Sequence, residues 1–263
     1  MDLQLKNKRA LVAGSRSGLG YAVARLLALE GCFVAINGRN TQTINEAAGQ
    51  LVSETKGEIL PLMGDVSQPE VPVSLVERTI KSFGGLDLLV TNAGGPPSGK
   101  FDSFDDLAWQ NAIELTLMSH VRLIRAALPY LRQSASASVV TMTSYAVKQP
   151  IPNLVLSNSI RAATVGLTKT LSSELGAEGI RFNSILPGWT STERVVDLFS
   201  YRARVNGTTV EDETIRQVKD TALGRMASPE EIANAVVFLL SPVASYITGV
   251  MLTVDGGITK GIW

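Results

Sequence analysis

The sequence predicts an α/β fold, one doubly wound parallel sheet of about seven strands flanked by helices. Three observations carry the prediction. Short apolar runs alternate with helical patterns from one end of the 263-residue chain to the other. The runs are continuously apolar and β-branched rather than alternating, as parallel strands covered on both faces require. A glycine-rich turn, Gly14 to Gly20, falls between the first such run and the first helical pattern. Sheets of the Rossmann type place their phosphate-binding turn there.

The elements follow in order. A strand over 9–13 leads through the glycine turn into a helix over 18–30, which Gly31 stops. A strand over 33–37, a helix over 41–54, a strand over 58–63 and a helix over 69–83 come next. A strand over 86–91 precedes one long helix over 104–132, and a strand over 138–143 precedes a helix over 154–176. After a strand over 181–186 the rhythm breaks. Residues 190–223 are polar, carry Asn206-Gly207, and sit where a substrate lid would lie. Ser228 then reads as an N-cap, Pro229 as a first-turn proline, and Glu230 and Glu231 as an acidic first turn. They open a helix over 229–240, and a strand over 250–254 completes the series. No repeat or low-complexity linker divides the chain, so residues 1–263 read as a single nucleotide-binding domain with a lid over about 190–223.

Composition narrows the function. Hydrophobic residues make up 45% of the chain, enough for a sizeable core. Lys+Arg and Asp+Glu are both 24 and the basic residues are scattered, which argues against nucleic acid as a partner. The single Cys32 lies in the apolar run CFVAI and reads as a buried thiol. With His120 the one histidine, no metal site is expected. No apolar run reaches the length of a membrane span, and the amino terminus has no long apolar core. The expectation is a soluble cytoplasmic protein acting on a small molecule.

The turn Gly14-Ser15-Arg16-Ser17-Gly18-Leu19-Gly20 has the spacing G-x-x-x-G-x-G. Glycines let the backbone approach a pyrophosphate, and the N-terminus of the following helix supplies N–H groups and a positive dipole end. An NAD-selective site would carry an acid just after the second strand to hold a ribose hydroxyl. No acid stands between Cys32 and Thr43. Arg39 offers instead a guanidinium fork suited to a 2′-phosphate, with Arg16 able to help. NADP(H) is therefore favoured over NAD(H), although Arg39 also reads as a solvated loop charge.

Further motifs bring in a family. Asp65-Val66 follows the third strand, Asn92-Ala93-Gly94 the fourth, and Pro187-Gly188 with Thr190 and Thr192 the sixth. Gly224-Arg225, Tyr246-Ile247-Thr248-Gly249 and Val254-Asp255-Gly256-Gly257 complete a series spanning essentially the whole chain. In order and spacing the chain resembles the short-chain dehydrogenase/reductases, and within them the β-ketoacyl-carrier-protein-reductase-like branch. The resemblance implies an NAD(P)-dependent oxidoreductase interconverting a carbonyl and an alcohol. It implies adenine contacts for Asp65 and Val66, and sheet support beside the cofactor for Asn92, Ala93 and Gly94. Pro187 and Gly188 would turn over the nicotinamide, with Thr190 and Thr192 at its carboxamide. It also implies a homotetramer, or a homodimer, built on 104–132 and 154–176. The apolar tail Gly261-Ile262-Trp263 fits docking on a neighbour.

The reacting centre departs from the family. There a Tyr donates a proton, a Lys four residues on lowers its pKa and binds the ribose, a Ser holds the carbonyl and an Asn anchors a water. Ser144 matches the Ser, but Ser157 stands at the Tyr position, Arg161 at the Lys position and Thr116 at the Asn position. Arg161 keeps a positive charge for the ribose hydroxyls but cannot shuttle protons. Ser157 is a much weaker acid than Tyr, and losing a positioned acid costs about 10²–10⁴ in rate. Tyr145 is a substitute to weigh, with Lys148 three residues further on. Consecutive residues leaving a strand point apart, so Ser144 and Tyr145 are not expected to share a target. His120 reads as a packing or subunit-contact residue. Three readings stay open: an NADP(H)-dependent oxidoreductase with a rebuilt proton-delivery site; a non-catalytic NADP(H)-binding sensor or partner subunit; and a lyase or isomerase on the same scaffold.

Overall fold

A computed structural model describes residues 1–262, with Tyr201 described in its backbone alone. Trp263 of the apolar tail and the Tyr201 side chain of the lid lie outside the described residues. Seven strands form one sheet: Arg9–Val12 (β1), Phe33–Gly38 (β2), Ile59–Met63 (β3), Leu88–Thr91 (β4), Ser138–Met142 (β5), Arg181–Pro187 (β6) and Met251–Val254 (β7). All pairings are parallel, in the order β3-β2-β1-β4-β5-β6-β7.

The period of two along each strand divides the core. Val12, Val34, Ile36, Val90, Val140 and Ile185 pack one face against Gly18–Leu29 (α1), Thr41–Thr55 (α2) and Pro229–Leu240 (α9). Leu11, Ala35, Leu89, Val139 and Phe182 pack the other against Val71–Phe83 (α3), Ser119–Leu131 (α5) and Val155–Glu174 (α6). Both faces are apolar, which is why the strands read as unbroken hydrophobic runs. The strand order reverses between β1 and β4, so the chain leaves these two neighbours in opposite directions and opens a crevice at their carboxyl ends.

The segment 104–132 is not one helix. Asp106–Ile113 (α4) passes through a single π-helical turn, Glu114–Met118, before α5 begins. Polar side chains at the turn account for the break. Thr116 Oγ1 donates back to the Ala112 carbonyl at 2.7 Å, and Ser119 Oγ donates to Leu115 O. Thr164 Oγ1 of α6 donates to the Thr116 carbonyl at 2.7 Å, drawing that oxygen toward the neighbouring helix.

Residues 190–223 are more regular than their polarity suggested. Glu193–Asn206 (α7) ends on Gly207, whose φ of 65° supplies the left-handed C-cap. Val210–Val218 (α8) starts from a reciprocal capping box between Thr209 and Asp212. Asn206-Gly207 thus marks the turn between two helices. Phe199, 1% exposed, anchors α7 with its ring centroid 5.6 Å from that of Trp189. Arg202 lies over both rings at 5.7–5.8 Å and donates to Gln217. No helix among the described residues is long and apolar enough to cross a membrane.

Candidate active site

The loop after β1 is built for close approach. Gly14 and Gly18 have φ of 56° and 59°, where only glycine is unstrained. A Cβ on Gly14 would lie 2.8 Å from the Asn92 carbonyl oxygen, and one on Gly20 would collide with the Gly14 carbonyl. Polar bonds then fix the loop. Ser15 Oγ donates to Val12 O at 2.6 Å and accepts from Asn37 N at 2.9 Å. Asn92 Nδ2 donates to Gly14 O at 2.9 Å, tying β4 to the loop across the crevice. Ser17 caps α1 with extended backbone but makes no side-chain capping bond. The first N–H groups of α1 therefore remain available to an anion. Asn37 supports the loop from β2: its amide nitrogen donates to Leu62 O and Gly64 O while its oxygen accepts from Gly14 N.

A cavity of about 690 Å³ extends from this loop along the carboxyl edge of the sheet. Of the residues singled out in the sequence, Gly14, Arg16, Ser17, Gly18, Leu19, Asn92, Ala93, Gly94, Ser144, Tyr145, Ser157, Arg161, Pro187, Gly188, Thr190 and Thr192 line it. Ser15, Gly20, Arg39, Asp65, Val66 and Thr116 do not. Ser15 and Gly20 shape the loop from below. Asp65 accepts from Ser67 N and Oγ, and Val66 is buried. Arg39 is exposed with no hydrogen bond or ion pair among the described residues. Thr116, 1% exposed, spends its hydroxyl on Ala112 O.

Arg161 dominates the inner wall. It is 8% exposed, and Nε donates to Ser157 Oγ at 3.2 Å. Its Nη1 donates to the Met142 and Thr143 carbonyls, both at 3.2 Å, which pins the guanidinium to the end of β5. Burial, and then the positive charge of Arg194, pull it down to about 10, so it stays cationic at neutral pH. Behind it, His120 bonds Thr91 Oγ1 through Nδ1 at 2.6 Å. Burial and then Arg161 push His120 down to about 3, which makes it a neutral packing residue at pH 7.

Ser144 and Tyr145 both line the cavity, and their hydroxyls meet different partners. The strand ends at Met142, and a 3₁₀ turn over Tyr145–Val147 follows Ser144. Ser144 Oγ accepts from Ala146 N at 3.1 Å, and Tyr145 Oη accepts from Trp189 Nε1 at 2.9 Å. Each hydroxyl proton is thus left for a ligand. Burial pushes the Tyr145 phenol up, against a lowering from the Trp189 N–H, so it is protonated at neutral pH. Lys148 is exposed outside the cavity wall.

Sequence reasoning missed Trp189 and Arg194. Trp189 follows Pro187-Gly188 directly, and its ring joins Tyr145 to α7. Arg194 stands in the first turn of α7 with its guanidinium over Gly95. A cation in a first helical turn opposes the helix dipole, and that mismatch was the readable signal. Next to it, Glu193 reaches back to Arg16 across 3.3 Å, joining α7 to the glycine loop.

The glycine cradle, the open α1 N-terminus and the adjoining cavity suit a dinucleotide, and comparison with known proteins agrees. A family model described as enoyl-(acyl carrier protein) reductase matches residues 13–259. An uncharacterized oxidoreductase, YvrD of Bacillus subtilis, is 31% identical over all of both chains. The 3-oxoacyl-[acyl-carrier-protein] reductase FabG of Chlamydia muridarum is 31% identical over 98% of this chain and 100% of its own. Among solved structures, L-sorbose reductase from Gluconobacter frateurii, complexed with NADPH and L-sorbose, superposes with a TM-score of 0.96 at 33% identity over all of both chains.

Proposed function

The chain belongs to the short-chain dehydrogenase/reductase family, and from that premise we propose that it is an NADP(H)-dependent oxidoreductase that interconverts a carbonyl and an alcohol on a small substrate, through a rebuilt proton-delivery site. One observation carries the reading: a single cavity joins the glycine cradle to the hydroxyls of Ser144, Tyr145 and Ser157 and to the Arg161 guanidinium.

In this reading the loop Gly14–Gly20 and the open N-terminus of α1 bind the cofactor phosphates. Arg39 and Arg16 take the 2′-phosphate, supported by the lack of any acid between Cys32 and Thr43. Asp65 and Val66 border the adenine. Asn92, Ala93 and Gly94 form the floor, and Pro187, Gly188, Thr190 and Thr192 border the nicotinamide. A bound NADP(H) supplies hydride transfer. Arg161 holds the ribose hydroxyls and adds positive charge that favours a developing alkoxide. Ser144 and Ser157 hydrogen-bond the substrate oxygen. Tyr145 donates the proton: it is the one phenol lining the cavity among the described residues, its oxygen accepts from Trp189, and its hydrogen has no protein acceptor among them. Thr116 keeps a structural role in the π-helical turn. Helices α7 and α8, residues 190–223, form the lid over the substrate.

We further propose a cytoplasmic homotetramer, or homodimer, that docks through the α4–α5 and α6 faces. The exposed Leu107 of α4, Phe101 just before it and the fully exposed Tyr246 support it, since large exposed apolar side chains mark contact surfaces. Light scattering on purified protein reads that state.

The test of function is NADPH and NADH binding, with turnover on a panel of ketones, aldehydes and acyl thioesters. NADPH binding with turnover of at least one class is expected. NADPH binding without turnover on any of them favours a sensor or partner subunit. Failure to bind either nucleotide overturns the proposal.

A further inference from the structure

We propose that Arg161, Arg194 and the open N-terminus of α7 form a seat for an anionic oxygen group that the substrate carries beside its reacting carbonyl. The proposal deepens the oxidoreductase reading and rests on it.

Both guanidiniums face the same cavity, and neither has an acid partner. None of the ion pairs among the described residues includes Arg161 or Arg194. Arg161 is more than nine-tenths buried, and its Nε and Nη1 bonds leave Nη2 without a protein acceptor while the residue lines the cavity. The acids nearest in sequence do not meet the need. Glu193 bonds Arg16, and Asp197 lines the wall one turn further along α7 without an ion pair.

Placement makes the pairing stranger. Arg194 occupies the first turn of α7, whose dipole disfavours a cation. Thr192, the N-cap, makes no side-chain capping bond; its carbonyl takes the Val195 and Val196 N–H groups, and those of Glu193 and Arg194 have no protein acceptor among the described residues. Gly95 makes room for the arginine: a Cβ there would lie within 2.5 Å of Nη1. The two charges also repel, for each is desolvated and Arg194 holds Arg161 down. An anion seated between them would offset desolvation and repulsion together, through charge-assisted bonds to planar forks.

A carboxylate on the substrate and the pyrophosphate of the cofactor offer the same chemistry, so the test separates them. Phenylglyoxylate and its methyl ester are titrated calorimetrically into protein saturated with NADP⁺, which permits no reduction, and into nucleotide-free protein. The acid should bind at least about 10-fold more tightly than the ester, as expected of a charge-assisted contact. Arg194→Gln should reduce that preference to under about 3-fold while changing NADP⁺ affinity by less than about 3-fold. Gly95→Ala, which displaces the guanidinium without removing its charge, should weaken the preference in the same direction. A far-ultraviolet melting curve confirms that both variants fold.

No preference for the acid in the wild-type protein overturns the proposal. A large loss of NADP⁺ affinity in Arg194→Gln, with the preference intact, also overturns it and assigns the arginine to the cofactor. Failure of NADP⁺ to bind counts against the oxidoreductase reading alone, because the nucleotide-free titration still reports whether acid preference depends on Arg194.

Discussion

Arg161 donates from Nε to Ser157 Oγ at 3.2 Å, one helical turn back along α6. Spacing of four residues puts the two on one helix face, and the bond turns them into a single polar unit rather than an acid with its activator. Serine accepts from the guanidinium, and its hydroxyl remains far too weak an acid to be drawn into ionisation by one nearby cation. The same arginine closes its other side on the Met142 and Thr143 carbonyls, so its position belongs to the sheet edge as much as to the helix.

The swap is reversible if this geometry is all that has changed. Ser157→Tyr with Arg161→Lys should raise kcat for NADPH-dependent reduction by about 10-fold or more, a fraction of the 10²–10⁴ that a positioned acid contributes. Each single variant should fall short: Ser157→Tyr alone leaves Arg161, which cannot relay a proton, and Arg161→Lys alone supplies no phenol. The check is steady-state kinetics on the best substrate of the carbonyl panel. No gain in a folded double variant would show that the pocket has been reshaped for a different proton route.

That route is proposed to run through Tyr145. Tyr145→Phe removes the phenolic proton and strands the Trp189 N–H. We expect kcat to fall by about 10²-fold and stability to drop by about 1 kcal/mol from the lost hydrogen bond. Trp189→Phe is the control, because it costs stability while leaving the phenol in place. Equal losses of kcat in the two variants would mean that Tyr145 serves only to hold α7.

How much of this was open to inspection in the sequence follows from the range of each interaction. Strand and helix positions were legible because burial on both faces writes itself into unbroken apolar runs, as in Val34-Ala35-Ile36. The glycine loop was legible because Gly14 and Gly18 answer a local backbone demand. The π-helical turn was not, since it depends on Thr164 reaching across from another helix. The helices of 190–223 were missed because their exposed faces are polar, although Thr209 and Asp212 did carry a capping signal. The bond from Trp189 to Tyr145 was not legible, because it joins residues 44 apart in the chain. Arg194 was missed because its neighbours, Gly95 and Arg161, are distant in the chain.

Cofactor choice is tested away from the reacting centre. Arg39 is exposed beside the end of β2, and Gly38 packs against the Arg16 side chain, which places the two arginines at adjoining positions. Arg39→Asp should raise the NADPH dissociation constant by about 10-fold or more, the value of a charge-assisted phosphate contact. NADH affinity should hold or improve, because an acid there can accept from a ribose hydroxyl. Fluorescence titration with both nucleotides reads the ratio. A variant that binds NADPH as well as the wild type does would make Arg39 a solvated charge.

His120 gives the fold a pH dependence whose sign can be worked out. Burial, then the charge of Arg161, lowers its folded-state value to about 3, against 6.5 when unfolded. The unfolded chain therefore binds the proton more readily, and stability rises with pH across that interval. The contribution is fully present above 6.5 and is lost as pH falls toward 3, by up to about 1.4 kcal/mol per pH unit. Carboxylates titrating below pH 5 add to the loss, so the diagnostic interval is pH 5 to 6.5, where the imidazole of His120 titrates in the unfolded chain alone. His120→Gln removes the titrating group and can still bond Thr91. Urea unfolding at pH 7.5 and at pH 5.2 should show the wild type losing more than about 1 kcal/mol and the variant markedly less. Equal losses would mean that His120 is protonated in the folded protein, which would require its ring to swing away from Arg161.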